Sequence, residues 1–245
     1  MDEVHLWLVF QEEAELPALL ARYREIIPED ERASTDRFYF ESGRRQHLIT
    51  RALVRTVLSR YCDIPAEDWR FVRDAHGRPH VAPDQQVPGL PAFNLSHTRG
   101  LIACAVTGAA AIGADVEHVH DRTPSLDVAD RYFAASESAA LRALPPEAQT
   151  DRFFHYWTLK ESYIKARGKG LSIPLAEFAF DFAGAHRLRG PDGWHFRLCR
   201  PSPDHLAAVC VAAEPGARVR LTTHRVVPLH SEQPFDCEVL RASAE

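Results

Sequence analysis

Fifteen consecutive residues, from Gly100 to Ala114, carry no charge, and the chain has no longer uncharged run. A membrane-spanning helix needs about 17–25 apolar residues. The run is also cut by Thr107-Gly108, a pair suited to a turn. The two pieces, Leu101–Val106 and Ala110–Val116, therefore read as consecutive strands. Leu101–Val106, apolar at every position, is stable as a strand only when both its faces are covered. The rest of the chain must then supply that cover.

Helical and strand patterns that could supply it flank the run on both sides. An apolar strand, Val4–Phe10, opens the chain; helical periodicity follows over Glu15–Ile26 and over Gly43–Tyr61, where Leu48, Ala52, Val54, Val57 and Leu58 form a stripe. Short strands are expected at Trp69–Arg73 and Phe93–His97. Beyond the run the outline repeats, with helices over Ser125–Phe133, Ala135–Leu144 and Asp151–Arg167. Strands are then expected at 177–182, Trp194–Arg200, His205–Ala212 and Arg218–Val227, and the last ten or so residues are expected to fray. Helices followed by antiparallel strands, twice over, imply an α+β fold of two halves, 1–112 and 113–245.

Charge and cysteine content narrow the function classes. Lys and Arg number 29 against 34 Asp and Glu, a net charge of −5, so no whole-surface attraction to nucleic acid or anionic membrane is expected. The five cysteines are scattered and form no C-x-x-C pair, which reads as free thiols in a reducing, cytoplasmic setting. The acidic N-terminus, Met-Asp-Glu-Val-His, does not resemble a signal peptide.

Three constellations could carry chemistry. In Gly113-Ala114-Asp115-Val116-Glu117, strand geometry points Asp115 and Glu117 to one face, where two hard oxygen ligands suit Mg²⁺. The plainer reading is a solvated strand end. In the helix Phe153–Lys165, Trp157, Glu161 and Lys165 fall at i, i+4 and i+8 with Lys160 beside them, while Tyr156, Leu159, Tyr163 and Ala166 form an apolar face. The plainer reading there is an amphipathic helix with a routine Glu161–Lys165 pair. Asn94-Leu95-Ser96-His97, with Arg78-Pro79 upstream, offers a hydroxyl, an imidazole and a guanidinium for phosphate. A serine hydrolase is excluded, because no G-x-S-x-G elbow is present and adjacent strand residues face opposite ways.

The order Arg78-Pro79, F-N-L-S-H at 93–97, G-A-D-V-E at 113–117 and Trp157-x2-Lys160-Glu161-Ser162-Tyr163-x-Lys165-x2-Gly168-Lys169-Gly170-Leu171 resembles the 4′-phosphopantetheinyl transferases, in particular the large, monomeric Sfp type. The resemblance runs from about residue 28 to about 182. It implies two pseudo-twofold-related α+β halves with a cleft between them, the N-terminal half on the 3′-phosphoadenosine side of coenzyme A and the C-terminal half bearing the metal and catalytic residues. It also implies a cytoplasmic monomer that moves the phosphopantetheine arm of coenzyme A to a carrier-protein serine, with Mg²⁺ or Mn²⁺, releasing 3′,5′-ADP.

By position, the resemblance makes Asp115, Glu117 and Glu161 the metal ligands and places Lys160 and Lys165 near the pyrophosphate. Arg78, Ser96 and His97 fall on coenzyme A contacts, and Trp157 supports the helix. Glu161, Glu137 or a metal-bound water would take the serine proton. One departure is that Pro28-Glu29-Asp30-Glu31-Arg32 is acidic where relatives carry lysines, so Arg44, Arg45 and His47 stand in for the 3′-phosphate contacts. The carrier is expected to dock beside the helices over Ser125–Leu144. A non-catalytic coenzyme A-binding module is the main alternative, set against the presence of all three acids.

Overall fold

The computed structural model describes residues 2–243 except Arg122, Thr123, Ser125, Leu171, Ser172, Ala185 and Pro215. Ser125 and Leu171, named above, thus lie outside the described residues. The strands are β1 (Asp2–Phe10), β2 (Phe71–Arg73), β3 (Pro79–Val81), β4 (Ala92–Thr98), β5 (Leu101–Thr107), β6 (Ile112–His118), β7 (Arg187–Leu188), β8 (Trp194–Ser202), β9 (His205–Ala212), β10 (Val219–Val227), β11 (Ser231–Pro234) and β12 (Glu238–Ser243). The helices are α1 (Gln11–Ala14), α2 (Pro17–Ile26), α3 (Glu29–Asp36), α4 (Glu41–Leu58), α5 (Leu126–Tyr132), α6 (Ala135–Arg142) and α7 (Pro146–Arg167).

Two five-stranded sheets carry the fold, ordered β11-β10-β1-β5-β4 and β6-β9-β8-β12-β7, and β2 and β3 form a separate hairpin. Both faces of β5 are buried, as its uncharged sequence demands. Leu101, Ala103 and Ala105 join Val4, Leu6 and Leu8 of β1 and Ile112, Ala114 and Val116 of β6 in a core shared by the two sheets. Ile102, Cys104 and Val106 face the other way, into a core with α2 and α4. On the second sheet, Leu206, Ala208 and Cys210 pack beneath α7. Each half is therefore a sheet with its own long helix, and the mixed α+β class read from the sequence holds.

The chain does not divide cleanly at 112/113. β10 returns to the first sheet and runs parallel to β1, with Asp2 opposite Val219 and Leu8 opposite Arg225. β1, apolar on both faces, has β5 on one edge and needs a second neighbour on the other. The C-terminus does not fray as expected either, because β12 pairs with β8 and β7 as far as Ser243. The strand expected over 177–182 is absent. That stretch holds a short 3₁₀ turn, Leu175–Glu177, and a lone bridge between Asp181 and Arg189. Phe178, Phe180 and Phe182 alternate as a strand would, but they pack into the core under α7. A buried ion pair, described below, takes the place of a ladder partner for this backbone.

Candidate active site

The facing edges of the two sheets build the site. β4 and β6 are outermost in their sheets, and side chains of β4 satisfy the edge amides of β6. Asn94 Oδ1 accepts from the Ala114 N–H at 2.9 Å, and Ser96 Oγ accepts from the Val116 N–H at 3.2 Å. The glycine of G-A-D-V-E has a steric reason. A Cβ on Gly113 would lie 2.0 Å from the Ser162 carbonyl oxygen and 2.3 Å from the Ala166 nitrogen, both on α7. Glycine alone lets α7 lie against β6, which brings Glu161 and Lys165 over the Asp115 face.

Asp115 is buried at 4% exposure. Its Oδ1 accepts from Lys165 Nζ at 2.6 Å and from Ser96 Oγ at 3.1 Å, while Lys165 Nζ also donates to Ser96 Oγ at 2.9 Å. Its Oδ2 is buried and has no hydrogen-bond partner. Leaving a carboxylate oxygen buried and unpaired costs free energy, so the position favours a cation. Glu161, one turn before Lys165, is pushed up to about 7 by burial and by the like charge of Asp115, against the pull of Lys165. Glu161 thus reports a desolvated position beside a second negative charge. Glu117 follows on the same face of β6, half-buried. Among the described residues, no three acidic, histidine or cysteine side chains are already grouped closely enough to hold a metal ion.

Lys160 and Glu137 stand elsewhere than the resemblance implies. Lys160 is fully buried, and its Nζ donates to the Leu175 and Phe178 carbonyls, each at 2.7 Å, and to Glu137 Oε2 at 2.7 Å. Those three bonds use all three ammonium protons. The ammonium also lies 4.4 Å from the Phe178 ring centroid. Glu137 in turn accepts from the Ala134 and Phe180 backbone amides at 2.9 and 2.8 Å. The pair joins α6, α7 and the 175–180 segment inside the core, where neither side chain has any exposed surface. Trp157 stacks on Phe153 at 5.9 Å, as a helix support should.

Two adjoining hollows lie beside the Asp115 centre. One, of about 230 Å³, is lined by Asn94, Lys165, Gly168, Gly170 and the 76–79 turn. The other, of about 260 Å³, is lined by Phe38, His47, Thr50, Arg51, Arg73 and His97. Gly77, Pro79 and Leu95 line both. Ser96 and His97 serve opposite sides of β4, Ser96 on Asp115 and His97 in the second hollow. His47 accepts or donates with Thr35 Oγ1 at 2.8 Å, and burial with the nearby Arg51 charge lowers its pKa to about 4. It is therefore neutral at neutral pH.

The cations of the second hollow are Arg51 and Arg73, which the sequence reading did not single out. Arg51 stands one helical turn after His47, so the i+4 spacing was the available signal. Arg45 instead pairs with Glu15 at 3.4 Å and Glu41 at 3.2 Å, and Arg44 pairs with Glu41. The acidic start of α3 also has a role, since Glu31 forms ion pairs with Arg51 and Arg55. Arg78 lines the first hollow, yet its guanidinium donates to the carbonyls of Phe93 at 2.9 Å, Ile112 at 3.0 Å, and Lys165.

Comparison with known proteins gives the family of the chain. The family described as the 4′-phosphopantetheinyl transferase superfamily matches residues 111–210, and the N-terminal region of 4′-phosphopantetheinyl transferases matches residues 16–108. The 4′-phosphopantetheinyl transferase HetI of Nostoc sp. is 34% identical over 214 residues, covering 86% of this chain and 88% of HetI. The 4′-phosphopantetheinyl transferase Sfp of Bacillus subtilis is 34% identical over 198 residues, covering 78% of this chain and 84% of Sfp. A solved holo-[acyl-carrier-protein] synthase from Thermotoga maritima overlays on 42% of this chain and 63% of its own at TM-score 0.35 and 20% identity, too little to argue from.

Proposed function

The chain belongs to the 4′-phosphopantetheinyl transferase superfamily and is an enzyme of that type; from that premise we propose that it moves the 4′-phosphopantetheine arm of coenzyme A to a serine of an acyl- or peptidyl-carrier domain, with Mg²⁺, releasing 3′,5′-ADP. The observation that carries the reading is Asp115, held by Lys165 and Ser96 through one oxygen and left without a partner on the other. The donor set fits a hard divalent cation, since Asp115, Glu117 and Glu161 offer only carboxylate oxygens. When bound, Mg²⁺ or Mn²⁺ would neutralise pyrophosphate charge.

The chain's own residues do the rest. Arg51, Arg73 and His97 receive the 3′-phosphoadenosine end in the second hollow, with His47 as a neutral hydrogen-bonding wall. Lys165 faces the pyrophosphate from the first hollow, sharing its charge with Asp115. The serine oxygen bonds to the β-phosphorus as the bond from that phosphorus to the bridging oxygen breaks, and 3′,5′-ADP departs with that oxygen. Glu161 is the carboxylate placed to take the serine proton, directly or through a water; Glu137 is sealed by Lys160 and two amides. A mostly apolar groove of about 490 Å³ beside Trp157, lined by Arg131, Tyr132, Ile173 and Pro174, is where the carrier would sit.

The five unbridged cysteines are consistent with a reducing cytoplasm, and no helix among the described residues is long and apolar enough to cross a membrane. Two halves closed within one chain favour a monomer. Intact-mass spectrometry of an apo carrier domain incubated with this chain, coenzyme A and Mg²⁺ tests the proposal. It expects a gain of one phosphopantetheine, abolished by EDTA; coenzyme A binding with no mass gain across fatty-acid, polyketide and peptide carriers would refute it.

A further inference from the structure

Arg78 is expected from the resemblance to meet a phosphate, yet all three of its side-chain hydrogen bonds among the described residues go to backbone oxygens. We infer that Arg78 is a positioning residue, a guanidinium clamp that caps the C-terminus of α7 and locks it to the facing edges of both sheets, so that Lys165 stays on Ser96 and Asp115.

Three separate elements meet at this one side chain. Its NH2 bridges the Phe93 carbonyl of β4 and the Ile112 carbonyl of β6, and its NH1 reaches the Lys165 carbonyl in the last turn of α7. β4 and β6 are the outermost strands of their sheets, so carbonyls on their free edges need an outside donor. α7 stops at Gly168, which adopts the left-handed conformation at φ 63°; the Gly168 N–H reaches the Lys165 carbonyl at 3.2 Å, and Arg78 NH1 supplies a second donor to the same oxygen. A cation at that end also complements the helix dipole.

The clamp points stand close to the centre they would fix. Phe93 and Ile112 each lie three residues before Ser96 and Asp115, and the clamped carbonyl belongs to the same residue whose Nζ bonds both. The planar guanidinium presents its donors to β4, β6 and α7 in a fixed coplanar fork, and a tetrahedral lysine ammonium on the same stem does not reproduce those directions. The remaining nitrogen, Nε, is buried with no partner and so is not presented to a ligand.

This inference rests on the transferase reading for its kinetic test, but not for its structural one. Arg78→Lys keeps the charge a phosphate contact needs and loses the fork; Arg78→Ala loses both. In the full chain, both variants should lower kcat at least tenfold while calorimetric affinity for 3′,5′-ADP stays within twofold of wild type. Low-millimolar guanidinium should partly restore Arg78→Ala, and ethylammonium should not. Wild-type kcat in Arg78→Lys, or a tenfold loss of 3′,5′-ADP affinity in Arg78→Ala with kcat preserved at saturation, overturns the clamp. Should wild type modify no carrier, the transferase reading fails by itself. The melting temperature of Arg78→Lys then decides, with a drop of several degrees supporting the clamp and no change refuting it.

Discussion

Replacing Lys160 by Met separates an interior strut from a substrate contact. In the folded protein the Lys160 ammonium sits 2.7 Å from Glu137, and neither side chain has any exposed surface. Burial raises the Glu137 pKa and lowers that of Lys160, each opposed by the other's charge. Methionine fills similar volume, so the cost is electrostatic. Breaking a buried pair from one side costs about 3–5 kcal/mol, because the remaining charge is left uncompensated. The Leu175 and Phe178 carbonyls lose their donor as well. For a chain of this size that corresponds to a melting decrease of roughly 6–20 °C.

Thermal unfolding followed by circular dichroism, together with kcat and KM for coenzyme A measured below the transition, reads the outcome. The strut predicts a large loss of stability with KM changed less than about threefold. Adding Glu137→Gln should recover at least about 1 kcal/mol relative to the sum of the single changes, since the two groups are coupled. A variant that melts within about 2 °C of wild type while KM for coenzyme A rises about tenfold or more would refute this placement of Lys160, because one charge-assisted phosphate contact is worth about 1.5–3 kcal/mol.

Other consequences are equally direct. Asp115→Asn preserves shape but removes the charge beside the orphaned oxygen, so transfer should fall about a hundredfold or more, by analogy with loss of one preorganised electrostatic contact; turnover near wild type would contradict the assigned centre. Gly113→Ala forces a methyl into the Ser162 and Ala166 backbone, and should destabilise by about 1–3 kcal/mol or more while displacing α7 from β6. Normal stability and activity in that variant would disprove the close approach. His47 is held near pKa 4 in the folded chain against a usual 6.5, so the unfolded chain protonates first and stability declines as pH falls from about 6.5 towards 4. His47→Gln should flatten that part of the stability–pH curve, and an unchanged slope would exclude His47 as its source.

How much of this was legible beforehand differs residue by residue. The uncharged run told correctly that β5 needs cover on both faces, because periodicity and charge are local signals. Asp115 and Glu117 on one face, and Ser96 and His97 on opposite faces, followed from strand geometry alone. The helix also held a missed clue: Lys160 lies four residues after Tyr156 and three before Tyr163, which places it on the apolar face of α7 rather than beside Glu161 and Lys165. Alternating Phe178, Phe180 and Phe182 suggested a strand, but the backbone there bonds to Lys160 and Glu137 instead. The role of Arg78 had no local signal, because its acceptors lie 15, 34 and 87 residues away. The return of β10 to β1 is a pairing of the same long-range kind.

The proposed function stands on the Asp115–Lys165–Ser96 centre and its two adjoining hollows as the coenzyme A and metal site. A crystal structure of the protein soaked with coenzyme A and Mn²⁺, using anomalous scattering to locate the metal, tests this most directly. A metal peak is expected on Asp115 Oδ2 and a 3′-phosphate against Arg51 and Arg73, with Lys160 still bonded to Glu137. Metal or pyrophosphate bound at Lys160 or Glu137, or coenzyme A seated away from both hollows, would contradict it.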